Sequence, residues 1–253
     1  MSLKFTIIIP CYNAEQWVSE SIDSALSQTY NDIEVIFVDN ESTDNSYQIA
    51  LEIQKSYPNL KVLSAPNLYK YSWTEPVGKA LSEAQGDYFT ILGADDYIDK
   101  DYIKNIVDII SVAPDTIQII QTPIRGVLRD KEQFLEEIKH TYKSLEEFKT
   151  LLFQRCPVNT PTVVYKKELY DIGVVRWNSE NYLGAADYDL YFNIAHHNIF
   201  IYPYPKWLGY FYRWHDKQAT WGMHQENTNY DTIIQEHWNT VWKQKRSTCP
   251  ILE

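Results

Sequence analysis

Glycine is scarce in this chain, with eight in 253 residues. No G-x-G-x-x-G follows the first apolar run, and no G-x-x-x-x-G-K-[ST] occurs anywhere. Those absences exclude a dinucleotide fingerprint and a P-loop. Cysteine is scarcer still. Cys11, Cys156 and Cys249 lie far apart without a C-x-x-C pair, so neither a zinc pattern nor a disulfide framework follows, and a reducing compartment is expected. Basic residues number 23 against 34 acidic ones, a formal charge of -11. That excludes the basic face that general nucleic-acid binding needs, and a strong electrostatic hold on anionic lipid. No apolar run approaches membrane-spanning length, and the N-terminus has no charged segment followed by a long apolar one.

Aromatic residues, in contrast, are abundant. Phe, Tyr and Trp make up 15% of the chain, with 20 Tyr and 8 Trp. Aromatic faces stack on sugar rings and on bases, or simply replace Phe and Leu in core and rim. Trp73, Trp177, Tyr182, Trp214 and Trp221 stand open to either reading. Hydrophobic and charged contents of 44% and 23% are those of a globular protein, and the length suits one large α/β domain.

The chain is organised around residues 88–99. An apolar run over 88–92 reads as a buried strand of a parallel sheet. It stops at Gly93-Ala94, and Asp95 and Asp96 follow. Ligands of open α/β sheets collect beyond the carboxyl ends of strands. Two carboxylates there suit Mg²⁺ or Mn²⁺ carrying a diphosphate. The alternative is a solvated acidic loop before a helix starting near Asp101.

Around it, the spacing predicts alternating strands and helices. Residues 5–9 and 32–38 read as strands, with a helix between them carrying Trp17, Val18, Ser21, Ile22, Ala25 and Leu26 on one face. A helix after Ser42 or Thr43 follows, with one of the two as N-cap. Then come a strand over 60–63 and a helix over 76–85 with Gly86 just past its end. This βα alternation predicts a wound parallel sheet. Polar residues cluster after three strands: Tyr12 and Asn13, Asp39 and Asn40, Asp95 and Asp96. Three such ends make a cleft. Beyond a strand at 117–120, residues 124–156 are charge-rich and mostly helical in period. A strand at 162–165, a helix over 166–173 with Gly173 at its C′ position, and a helix from Gly184 to about His196 follow. Strands at 199–202 and 207–212 lead to a last helix over 226–243, with Tyr230, Ile233, Ile234, His237, Trp238 and Val241 on one side. One domain with two halves is expected, about 1–123 and 124–225, followed by a C-terminal helix over about 226–253.

In their order and spacing, several stretches resemble the family-2 inverting glycosyltransferases of GT-A fold. They are Thr6-Ile7-Ile8-Ile9-Pro10-Cys11-Tyr12-Asn13, Ser24-Ala25-Leu26-Ser27-Gln28-Thr29-Tyr30, Asp32 through Asp44, and Ala84-Gln85-Gly86-Asp87-Tyr88 before the aspartates. The second half matches at Asp187 and at Tyr212-Arg213-Trp214-His215. The resemblance implies a Rossmann-like wound mixed sheet and a nucleotide-diphosphate sugar donor, with a UDP-sugar as the first expectation. It also implies a divalent cation, Mg²⁺ or Mn²⁺, and inverting transfer to a saccharide or lipid-linked saccharide hydroxyl. Carried over, Pro10, Tyr12, Asp39 and Asn40 hold the nucleoside, and Asp95 and Asp96 form the carboxylate end of the metal motif. Asp187 is the catalytic base, and His215 is a further metal or diphosphate contact. Arg213 beside it pairs a phosphate, or an internal carboxylate. Taken alone, Asp187 reads sooner as a helix N-cap, His215 as a packed or hydrogen-bonding residue, and Lys79 as a helix-surface lysine.

Three positions depart from the family pattern. Asn40 stands where a second Asp is usual, Gly93 where the first Asp of D-x-D often stands, and Ala186 where an acidic neighbour usually precedes the base. A rival reading is therefore a sugar-nucleotide or glycan-binding module that kept the fold and lost turnover. A nucleotidyltransferase would need a Gly-rich basic loop where Pro10-Cys11-Tyr12-Asn13-Ala14 stands, and a glycosidase two carboxylates flanking the bond. The expected setting is bacterial surface-polysaccharide assembly in the cytoplasm, at the inner face of the membrane. That setting has room for peripheral membrane association and for an oligomer.

Overall fold

The computed structural model describes residues 3–113, 116–128, 133–218 and 228–248. Strands β1 (Phe5–Cys11), β2 (Ile33–Asp39), β3 (Leu60–Ser64) and β4 (Tyr88–Ile91) pair in parallel. Their apolar runs are continuous because both faces are covered. Ile7 and Ile9 face one helical layer and Ile8 the other. The first layer holds α1 (Val18–Leu26), α2 (Ser46–Gln54) and, after the two-residue β5 (Tyr97–Ile98), α4 (Tyr102–Val112). The second holds α3 (Thr74–Leu81), α5 (Leu145–Leu152), α8 (Ala186–His196) and α9 (Tyr230–Thr248).

The sheet is completed from the second half of the chain. Strand β9 (Val164–Lys166) enters antiparallel between β4 and β6 (Ile119–Gln121), and β10 (Ile201–Pro203) lies parallel to β6. The order is β10-β6-β9-β4-β1-β2-β3. The two halves thus share one sheet. A second sheet, β5-β11-β7-β8, joins β11 (Tyr210–Trp214) to β7 (Ile124–Leu128) and β8 (Gln133–Ile138).

The helical reading of 124–156 is therefore wrong over its first part. Residues 124–128 pair with β11, and residues 133–138 pair back on them despite a charge pattern of helical period. Cross-strand pairing overrides the local period. The helix begins only at Leu145, where Ser144 Oγ accepts from the Glu147 N–H and Glu147 accepts from the Lys143 N–H, a near-standard capping box.

Smaller differences have equally local causes. Helix α2 starts at Ser46, because Asp44 rather than Ser42 or Thr43 accepts from the Ser46 N–H. Gly86 lies five residues beyond α3 and is fixed by contact: a Cβ would fall 2.7 Å from Thr6 N. Gly173 does follow α6 (Lys167–Asp171) in the left-handed region, with φ +78°, ahead of the short α7 (Ser179–Tyr182). In α9 the buried stripe is Ile234 and Trp238, flanked by Tyr230, Val241 and Trp242, whereas Ile233 and His237 face out. Among the described residues no helix is long and apolar enough to cross a membrane. Trp221 and Cys249 lie outside the described residues.

Candidate active site

β2 and β4 flank β1, so Asp39 at the end of β2 and the turn after β4 open on one edge of the sheet. Strands lie ~4.8 Å apart, so these ends are about 10 Å apart, the span of a nucleoside diphosphate. The loop after β1 is tied to the loop after β2. Asn13, with φ +53°, donates its N–H to Ser42 Oγ and accepts from the Thr43 N–H. Ala14 N–H donates to Ser46 Oγ. Tyr12 stands on this braced loop, 54% exposed, one residue past the end of β1, and Pro10 is half-buried within the strand.

Asp39 and Asn40 are buried. Asp39 Oδ2 accepts from the Ser42 N–H at 3.1 Å, and Asn40 Nδ2 donates to the Ser72 carbonyl at 3.4 Å. Asp39 Oδ1 and Asn40 Oδ1 have no hydrogen-bond partner among the described residues. Two buried acceptors without donors are costly, of order 1–3 kcal/mol each.

After β4 the two aspartates part company. Asp96 turns inward and is 2% exposed. Its Oδ2 accepts from the Tyr210 hydroxyl and its Oδ1 from the Arg213 N–H, both at 2.8 Å. Burial first, and Asp95 second, push its carboxyl well above the usual range, against those two bonds. Asp96 thus fastens β11 to the turn. Gly93 is what lets it fold back, since a Cβ there would lie 2.7 Å from Asp96 Oδ2 and 2.9 Å from Asp95 Oδ1. The missing first Asp of the D-x-D pattern thus leaves room for the inward turn of Asp96, which a side chain at position 93 would crowd.

Asp95 remains partly exposed, its side chain at 29%, and its Oδ2 lies 2.9 Å from His215 Nε2. His215 Nδ1 accepts from the Lys217 N–H, so in the neutral ring Nε2 carries the proton towards Asp95. Trp17 stacks on the imidazole at 3.9 Å. Arg213 is buried. Its Nε donates to the Asp95 carbonyl and its Nη2 to Glu20 Oε2, both at 2.7 Å. It pairs an internal carboxylate, as one of its two readings holds. Lys79 pairs with Glu83 on the surface.

Asp187 lies in the first turn of α8, with Ala185 at the cap, so it is not the N-cap. Its Oδ2 accepts from Thr160 Oγ1 at 2.6 Å and its Oδ1 from the Tyr188 N–H at 2.7 Å. Burial raises its carboxyl, offset by those two bonds, while Asp231 on α9 adds to the rise. The turn before it is strained at Leu183 (φ 49°, ψ −126°) rather than at Gly184. Such backbone is usually left to glycine and collects at functional sites.

Sequence reasoning missed Thr160, Tyr210, Glu20 and Trp17. Only the Thr160-Pro161-Thr162 turn carried a local signal, its proline. The other three act across the fold, Trp17 from the N-cap of α1, Glu20 from within it and Tyr210 from β11.

A family model described as glycosyl transferase family 2 matches residues 6–172. An uncharacterized glycosyltransferase of Haemophilus influenzae is 26% identical over 75% of this chain, which spans 59% of that protein. The structure of S. aureus TarS 1–349 in complex with UDP-GlcNAc superposes with a TM-score of 0.71 at 21% identity, over 89% of this chain and 62% of that one. A mannosyltransferase of Pyrobaculum calidifontis in complex with GDP-Man and Mn²⁺ gives 0.61 at 16%, over 94% and 69%. The two superpositions show a shared GT-A-like fold. With the family model covering most of the strand-end cluster, the chain belongs to glycosyl transferase family 2.

Proposed function

We propose that this protein transfers a sugar from a nucleotide-diphosphate donor to a saccharide hydroxyl, with Asp187 as the base. The carrying observation is the pair of partnerless buried acceptors, Asp39 Oδ1 and Asn40 Oδ1. Both atoms are closed to solvent, so a nucleobase edge supplies the missing N–H donor only as the segment around Ser72, which meets Asn40, moves aside. A uracil imide N3–H suits one of them, in keeping with the UDP and UDP-GlcNAc bound to the S. aureus relative. Asn40 adds a donor where the family usually has a carboxylate, so cytosine and guanine edges also belong in the test.

The diphosphate would reach Asp95. Among the described residues no three His, Cys, Asp or Glu side chains converge on a metal position. A carboxylate shared with substrate phosphates nevertheless fits the habit of Mg²⁺ and Mn²⁺, which keep few protein ligands. We assign Asp95 as that ligand, with His215 orienting it, and leave Asp96 to hold the turn. When bound, the cation supplies charge to the departing diphosphate. Asp187 Oδ1 or Oδ2 takes the acceptor proton, and its raised pKa brings it nearer the operating pH of a base. Thr160 keeps the carboxylate oriented.

The acceptor is a glycan hydroxyl of surface-polysaccharide assembly, on a lipid carrier or free, and the setting is the cytoplasmic side of the membrane. Titration calorimetry with UDP, GDP, CDP and TDP, with and without Mn²⁺, tests the reading. One nucleotide should bind in a metal-dependent way. Asp39→Ala should abolish recognition of the base, and Asp95→Ala should abolish the dependence on metal. Binding of none would remove the donor site. Donor binding without turnover on any glycan would favour the binding-module reading.

A further inference from the structure

Helix α3 contains a glycine that neither a turn nor a close contact explains. Gly78 is the fifth of eight helical residues, where glycine is less favourable than alanine. A Cβ there would meet nothing nearer than the Tyr170 hydroxyl at 3.9 Å. Packing therefore does not require Gly78. What its missing side chain keeps open is a shallow cavity of about 400 Å³, open to solvent, between α3 and residues 170–180, in volume within the roughly 300–1,000 Å³ of small-molecule sites.

The wall of the cavity has a definite chemistry. Tyr69, Tyr170 and Trp177 supply rings, Glu75 and Glu180 supply carboxylates, and Arg176 supplies a guanidinium that also leans on Asp189 at 3.8 Å and Asn193 at 3.4 Å. The Tyr170 and Trp177 centroids are 6.4 Å apart, and Trp73 packs edge-on behind Trp177 at 5.5 Å. Glu75 Oε2 accepts from Ser72 Oγ at 2.9 Å, and Thr74 and Ser179 share a hydroxyl contact at 2.7 Å. Ser72 is also the residue whose carbonyl meets Asn40, so the cavity backs onto the nucleoside end of the cleft.

We propose that this cavity binds a neutral saccharide unit. Sugar C–H faces match aromatic rings, and hydroxyls match carboxylates and a guanidinium. Two carboxylates against one guanidinium, in a chain of net charge -11, disfavour a phosphate or another polyanion. The site goes beyond the transferase reading, since it needs neither nucleotide nor metal.

The test uses the full chain, N,N′-diacetylchitobiose and maltose as neutral probes, and ribitol 5-phosphate as the anionic one. Calorimetry and saturation-transfer NMR report binding without nucleotide. A neutral disaccharide should bind in the millimolar range. Gly78→Leu, a better helix former that fills the space, should weaken it by about tenfold or more without lowering the melting temperature. Arg176→Ala, at a half-exposed side chain that also pairs with the buried Asp189 at 3.8 Å, provides the same readout, taken beside its melting temperature, if Gly78→Leu does not fold. Asp39→Ala should lose the nucleotide and keep the disaccharide, and a wild type that binds disaccharide but no nucleotide would sink the donor reading alone. Failure of both disaccharides to bind, undiminished binding to Gly78→Leu and to Arg176→Ala, or preference for ribitol 5-phosphate would each overturn the assignment.

Discussion

Replacing Tyr210 with phenylalanine removes one oxygen from the junction of the two sheets. That hydroxyl donates to Asp96 Oδ2 at 2.8 Å and accepts from the Gly93 N–H at 3.1 Å. The ring, packed edge-on to Tyr102 at 6.3 Å, keeps its place. Two groups are then left short: a buried carboxylate with one donor fewer, and a backbone N–H without its acceptor. Each costs about 1–3 kcal/mol, and the longer bond stands at the low end, so the sum is about 3 kcal/mol. For a domain of this size each kcal/mol moves the melting temperature by about 2–4 °C. Tyr210→Phe should therefore melt ~6–12 °C lower. Asp95→Asn, at a partly exposed carboxylate, should move it far less while removing metal-dependent donor binding. A double cycle with Asp96→Asn should show a coupling of about 1 kcal/mol or more, since the two groups share a bond. A Tyr210→Phe protein that melts within about 2 °C of wild type, or strict additivity with Asp96→Asn, would refute the structural role given to Asp96.

Asp187→Asn should lower kcat by about 10²–10⁴ with little change in donor affinity, read by steady-state kinetics beside calorimetry. An unchanged kcat would remove Asp187 as the base. The base works deprotonated, and burial raises its carboxyl, so kcat/KM should fall with decreasing pH at a higher pH than a solvated aspartate would give. Thr160→Val removes a bond that favours the charged form and should move that acid limb further up in a pH–rate profile; a limb that stays put argues against Thr160. Trp238→Phe deprives the buried Asp189 Oδ1 of its donor at 2.7 Å. It should cost about 1–3 kcal/mol in a denaturant titration, and an unchanged midpoint would show that α9 is not fastened there.

The first hundred residues were legible because their information is local. Unbroken apolar runs such as Phe5–Cys11 signal strands covered on both faces, and the polar residues just past them mark the cleft edge. Residues 124–138 read as helix in the sequence because their strands exist only by pairing. Phe134 and Ile138 in β8 are 52% and 51% exposed, so no buried alternation marked them. The last helix was recognised, yet the side it buries was set by α8 and not by its own spacing.

The same division runs through the site. Sequence alone determined that Asp39, Asn40 and Asp95 stand at the carboxyl edge of a wound sheet, because strand length and the residues after each strand are written in consecutive positions. Only the tertiary structure decided what each one does. Asp95 and Asp96 are adjacent and chemically identical, yet β11, 114 residues away from Asp96 at Tyr210, claims one and leaves the other to the cleft. Burial and the availability of donors are properties of the space around a side chain, and that space is filled by segments remote in sequence.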